Sequence, residues 1–239
     1  MNIKTVRREG YSISYINEEE FELIYKDIFK LKEYKYSTQN NNPFIIDCGS
    51  HIGLSILYFK KLYPYAKIIA FEPNPMTFTL LEKNINQNNI ENVTLINAAV
   101  AEEKREIDFY ISTDEEIPWT WGDSAAKNKW ATDETTKIIR VPSVKLSEYI
   151  VEEVDLLKLD VEGLEEVVLR ELNEKLTDID EIFMEFHGSS TNQTNDSGRI
   201  LQFLKNKGFS YTITQESKLI DEQDIRKNDP YWLIIHADK

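Results

Sequence analysis

From Pro43 onward the chain alternates short β-branched runs with longer stretches of helical spacing, and this rhythm limits its fold more than any other feature. Phe44 to Cys48 reads as a buried strand, Ile52 to Tyr63 as a helix, Lys67 to Phe71 as a second strand, Pro75 to Asn88 as a second helix and Val93 to Asn97 as a third strand. Further along, Val154 to Leu159 leads into a helix over Leu164 to Leu172. Ile179 to Phe186 then leads into one over Arg199 to Lys207. Strands joined by crossover helices pair in parallel, because a right-twisted strand feeding a right-handed helix packs back onto its sheet in one hand only. Phe209 to Thr214 and Tyr231 to His236 lie close enough in sequence for a terminal antiparallel pair. The expectation is an α/β fold with a mostly parallel sheet and helices on both faces.

A length of 239 residues suits one domain. Residues 1–42 read as an N-terminal cap, with an amphipathic helix over Ile16 to Tyr34, and 43–239 as the core. An insertion of about residues 104–141 interrupts that core, with strand-like pieces at Glu106 to Ser112 and Lys137 to Val141 around a polar stretch carrying Trp119, Trp121 and Trp130. Long insertions in compact folds are usually functional or disordered. The net charge of −14 repels polyanions, so nucleic acid is disfavoured as a partner. The single cysteine, Cys48, permits no internal disulfide, which points to a reducing cytoplasm. No apolar run approaches the roughly 20 residues that would cross a bilayer.

The chemistry-bearing residues fall where strands end. Asp47-Cys48-Gly49-Ser50-His51-Ile52-Gly53 marks a strand-to-helix turn, in which Gly49 lets the backbone turn sharply near a ligand and Gly53 lets the helix pack closely. The spacing is not the G-x-G-x-x-G of dinucleotide cradles. Glu72-Pro73-Asn74-Pro75 closes the second strand. An acid there can accept hydrogen bonds from both hydroxyls of a ribose, while Asn74 and Pro75 suit helix initiation. Lys158-Leu159-Asp160-Val161-Glu162-Gly163 closes the fourth core strand, so Asp160 is expected to face the same crevice as Asp47 and Glu72. Glu162 suits either substrate contact or the N-terminal dipole of the next helix. In Met184-Glu185-Phe186-His187-Gly188, strand alternation sends Glu185 and His187 to one side, opposite Phe186.

Taken together, these blocks and Asn97-Ala98-Ala99-Val100 resemble the FkbM family of S-adenosylmethionine-dependent methyltransferases over about Asn42 to Gly208. The resemblance implies a class I methyltransferase, Rossmann-like, with six parallel strands and a seventh inserted antiparallel. It also implies methyl transfer to an oxygen or nitrogen of a small molecule, sugar (glycan), lipid or peptide, with S-adenosylhomocysteine as product. Carried over, it assigns cofactor binding to Asp47, Gly49, Ser50, His51, Gly53, Glu72, Pro73, Asn97, Ala98 and Asp160. The family commonly has Ala-Asn where this chain has Ser50-His51.

A sulfonium methyl is already electrophilic, so the protein has to align, exclude water and accept a proton. His187, Glu185 and Asp160 are the candidate bases, in that order, because imidazole operates near neutral pH. Trp119, Trp121 and Trp130 are expected in the acceptor pocket, with Glu162 beside them; the plainer alternative is a loop anchored by tryptophans. No metal is assigned. A metal-dependent variant on Asp160, Glu185 and His187, an NAD-linked oxidoreductase and a non-catalytic cofactor-binding scaffold are the competing readings.

Overall fold

The structure, a computed structural model, describes residues 2–113, 118–126 and 136–239. Strands β1 (Lys4–Arg8) and β2 (Tyr11–Tyr15) form an antiparallel hairpin, followed by α1 (Glu18–Tyr25) and a π-helical turn over Lys26–Leu31. The single helix expected over Ile16 to Tyr34 is thus shorter. Asn17 caps α1 by accepting from the amides of Glu19 and Glu20, and Lys32, in the left-handed region, ends the helical stretch.

The core then runs β3 (Phe44–Cys48), α2 (Leu54–Leu62), β4 (Lys67–Phe71), α3 (Pro75–Gln87), β5 (Val93–Ile96), β6 (Ala99–Val100), β7 (Glu106–Ser112) and β8 (Thr136–Val144). It continues through β9 (Val154–Leu159), α4 (Glu165–Leu172), β10 (Ile179–Gly188), α5 (Ser197–Asn206), β11 (Ser210–Gln215), β12 (Lys218–Ile220) and β13 (Tyr231–Asp238). Eight strands make one sheet in the order β12, β11, β13, β10, β9, β3, β4, β5. Neighbours from β10 to β5 pair in parallel, and β13 lies antiparallel between β10 and β11. The expected seven strands are present, with the short β12 added at the edge as an eighth. Strands β6, β8 and β7 form a separate small sheet that carries the insertion.

Alternation along the strands sends two sets of side chains to opposite faces. Phe44, Ile46, Leu157, Leu159, Met184 and Phe186 pack with α4 and α5, while Ile45, Ile68, Leu156 and Phe183 pack with α1, α2 and α3. No helix among the described residues is long and apolar enough to cross a membrane.

One polar pair interrupts the second face. The β3–β9 register sets Asp47 opposite Lys158, and both side chains are fully buried, with Lys158 Nζ 3.3 Å from Asp47 Oδ1. Asp47 Oδ2 also accepts from Ser55 Oγ at 2.5 Å. Burial opposes the charge on Lys158, but Tyr34, Asp47, Asp160 and Glu185 outweigh it and hold the ammonium well above its ordinary range. Removing one partner of a buried ion pair leaves the other uncompensated, which costs about 3–5 kcal/mol. Lys158→Met is therefore expected to lower unfolding stability in urea by about that amount, and adding Asp47→Asn to it should recover part of the loss.

Candidate active site

The carboxyl ends of β3, β4, β9 and β10 open into one cavity of about 1040 Å³. Its floor depends on a contact between two strand-end turns. Gly49 has φ +83°, and a Cβ there would lie 1.9 Å from the carbonyl oxygen of Asp160, so only glycine allows the two turns to touch. Lys158 Nζ bridges them, donating to the Gly49 carbonyl at 2.6 Å and to Asp160 Oδ2 at 3.3 Å.

Most of the residues singled out in the sequence meet here: Gly49, Ser50, His51, Glu72, Pro73, Ala98, Asp160, Glu162, Glu185 and His187 all line the cavity. Three do not. Asp47 is corrected from a crevice acid to a structural one, because its carboxylate is spent on Ser55 and Lys158 behind the cavity wall. Gly53, at φ +89°, begins α2, and a Cβ there would meet Leu81 of α3 at 2.7 Å. Asn97 props the end of β4, donating from Nδ2 to the carbonyls of Glu72 and Pro73 at 2.8 and 3.1 Å.

Glu72 is buried and already well used. Its Oε1 accepts from the Asn74 amide at 2.9 Å and from Thr77 Oγ1 at 2.8 Å, and its Oε2 accepts from the His51 amide at 2.8 Å. An ionised carboxyl offers about four acceptor positions, so one remains, on Oε2. Burial pushes the Glu72 pKa up, against the pull of His51 and the donors just named.

At the other end of the cavity His187, on β10, is buried between carboxylates. Its Nδ1 lies 3.4 Å from Glu165 Oε1, and its Nε2 lies 3.5 Å from Glu162 Oε2 and 3.6 Å from Glu185 Oε1. Glu165, in the first turn of α4, is a partner the sequence did not suggest; an acid at that position reads only as a helix-dipole residue. Among the described residues, Asp160, Glu162 and His187 offer ligand-type atoms within 4.8 Å of one another.

The remaining walls come from distant segments. Asp27 and Glu33, after α1, and Trp232, on β13, line the cavity and were not anticipated. Burial, with Asp27 and Glu185 nearby, pushes Glu33 up to about 7; burial and Glu185 raise Asp27 as well. Trp119 and Trp121, expected at the acceptor side, are half-exposed on the rim with ring centroids 5.3 Å apart. Trp130 lies outside the described residues.

Residues 118–126 cross the cavity as a strap tied to three of the strand-end motifs. Thr120 Oγ1 meets His51 Nε2 at 2.6 Å, Asn74 Nδ2 donates to Asp123 Oδ2 at 2.6 Å, and Ser124 Oγ donates to the Glu162 carbonyl. Asp123 also accepts from the Ser112 amide at 3.2 Å. Burial pushes the Asp123 carboxyl up to about 8, and Glu72 and Glu20 add to the rise. A carboxyl raised on folding binds more protons folded than unfolded, so its ionisation destabilises the fold increasingly from about pH 4 to about pH 8. Thermal unfolding midpoints are expected to fall as pH rises from 5 to 9, and to fall less in Asp123→Asn.

Comparison with known proteins agrees with this geometry. Residues 47–211 match the family described as Methyltransferase FkbM domain. "Methyltransferase 1" of Beauveria bassiana is 30% identical over 220 residues, covering 81% of this chain and 83% of that protein. "31-O-demethyl-FK506 methyltransferase FkbM" of Streptomyces tacrolimicus is 24% identical over 243 residues, covering 90% and 92%. The crystal structure of Methyltransferase FkbM from Methylobacillus flagellatus shares the fold with a TM-score of 0.53 at 10% identity, over 87% of this chain and 47% of that one, so this chain spans about half its length. The strand-end motifs in their order, the sheet with its inserted antiparallel strand, and the match over residues 47–211 lead to one conclusion: the chain belongs to the FkbM methyltransferase family.

Proposed function

We propose that this protein transfers the methyl group of S-adenosylmethionine to an oxygen of an organic acceptor and releases S-adenosylhomocysteine. The observation that carries this reading is the convergence of the Gly49 turn, Glu72, Asp160 and His187 on one cavity. A buried polar atom supports the fit of the cofactor: His51 Nδ1 has no hydrogen-bond partner among the described residues, at the turn expected to hold the methionine end. The remaining acceptor position on Glu72 suits a single sugar hydroxyl.

The cofactor supplies an electrophilic methyl on a sulfonium. The chain has three tasks around it. The Gly49 and Asp160 turns, fixed by Lys158, hold one end of the cavity rigid. The strap and the segment after α1 exclude water from above. His187, Glu185 and Asp160 are the groups able to take the acceptor's proton. His187 comes first, because an imidazole operates near neutral pH and its ring, 3.4 Å from Glu165 Oε1 through Nδ1, lines the cavity. Trp119, Trp121 and Trp232 suit the face of a sugar, lipid or small organic ring, and Glu162 sits beside His187 at the same end. The name of the Streptomyces relative specifies an oxygen acceptor, which favours oxygen over nitrogen here. Cys48 is free and buried, in keeping with a cytoplasmic setting.

Calorimetric titration with S-adenosylmethionine, S-adenosylhomocysteine and NAD is expected to give saturable binding for the first two alone. Binding of NAD only would overturn the assignment in favour of an oxidoreductase. His187→Gln is expected to reduce turnover by about 10²–10⁴-fold while S-adenosylhomocysteine affinity stays within about threefold, the signature of a group acting on the acceptor proton. Retention of full turnover would pass the role of base to Glu185 or Asp160.

A further inference from the structure

The cap, the strap and the cofactor turn are joined by one hydrogen-bonded path. Glu20, on α1, is only 5% exposed, and its carboxylate accepts from the backbone amides of Thr120 and Trp121 and lies 3.2 Å from Thr120 Oγ1 through both oxygens. Thr120 Oγ1 also meets His51 Nε2 at 2.6 Å. The His51 amide in turn donates to Glu72 Oε2 at 2.8 Å. Asn17, which caps α1, adds a contact from Nδ2 to the Pro118 carbonyl at 3.4 Å.

The proton directions along this path are fixed by chemistry. A threonine hydroxyl carries one proton. If that proton pointed at His51, two oxygen lone pairs would face each other between Thr120 and Glu20 at 3.2 Å, buried and repulsive. It therefore points at Glu20, and His51 donates to Thr120 through Nε2. Carboxylate, hydroxyl and imidazole then form a directed chain that ends at Nδ1, a buried atom of His51 without a hydrogen-bond partner among the described residues. His51 is held for this in the left-handed region, at φ +48°.

We infer that Glu20, Thr120 and His51 are positioning residues that couple the cofactor turn to the strap bearing Trp119 and Trp121, so that occupation of the cofactor site fixes the acceptor wall. This rests on the methyltransferase reading above and extends it to the coupling between cofactor and acceptor binding. A ligand group engaging Nδ1, or a sugar hydroxyl on Glu72, fixes the His51 ring and amide, and through Nε2 the hydroxyl at residue 120. The two flanking tryptophans lie on either side of that residue. By linkage, the acceptor then binds more tightly to the cofactor-loaded protein, and the reverse holds by the same factor.

The test is hydrogen–deuterium exchange of the 118–126 segment in the full chain, with and without saturating S-adenosylhomocysteine. In the wild type, exchange of the Thr120 and Trp121 amides should slow about tenfold or more on saturation, within the usual range of coupling between sites. In Thr120→Val and in His51→Asn, which keeps a residue tolerant of positive φ, the same saturation should slow them less than about twofold. Unchanged protection of β9 and β10 would show that these variants are folded. A reading without substitutions comes from NMR of the wild type, where the Thr120 amide and the His51 ring resonances should shift along one common titration curve. A wild-type strap that exchanges equally with and without bound S-adenosylhomocysteine would overturn the coupling alone. So would a Thr120→Val response equal to the wild type, or movement of only one of the two NMR signals. A wild type that does not bind S-adenosylhomocysteine would overturn the methyltransferase reading, and this inference with it.

Discussion

The buried ammonium of Lys158 is the constraint on which the site depends. A charge at that depth is tolerable only with compensation on every side, and here it comes from Asp47 across the β3–β9 register, from Asp160 beyond the strand end and from the Gly49 carbonyl. Satisfying one cation therefore aligns two strands and brings their turns into contact. Because the surrounding acids hold it charged, Lys158 is unsuited to accept a proton. Its place is to fix the geometry within which other groups work.

The sheet was legible because its strands are short β-branched runs bounded by turn residues. Phe44–Cys48, Lys67–Phe71 and Val154–Leu159 coincide with their expected limits. The strand-end motifs were legible for the same reason, since a parallel sheet brings its carboxyl ends together whatever the details. Asp47 was misplaced although alternation held the clue: it shares a face with Ile45, on the side where Lys158 lies, so its partner was predictable once the strands were paired. The hairpin of Lys4–Arg8 and Tyr11–Tyr15 escaped notice because its first strand is largely exposed and rich in charge.

What the sequence could not reveal were contacts between segments far apart along the chain. Glu20 and Thr120 are separated by 100 positions, Asn74 and Asp123 by 49, and no local pattern marks any of them. An acid in the first turn of α1 has an ordinary explanation as a dipole partner, and that explanation concealed its part in holding the strap. Trp232 was concealed in the same way, as one residue of a terminal strand. The insertion was recognisable as an addition to the fold, whereas the passage of its residues 118–126 across the cavity emerged only in three dimensions.

The position of β13 has a consequence for how the molecule comes to exist. Tyr231–Asp238 follows both β10 and β11 in the chain, yet it lies inside the sheet between them rather than at an edge. Until it arrives, β10 and β11 have no bridge between them, and β10 carries His187 and Glu185 on an open flank. Nascent chains on the ribosome thus hold a half-built sheet with a bare hydrogen-bonding margin, the species most exposed to self-association and to chaperone capture. Because β13 follows both of its neighbours in the chain, its emergence is the step that ends this exposure.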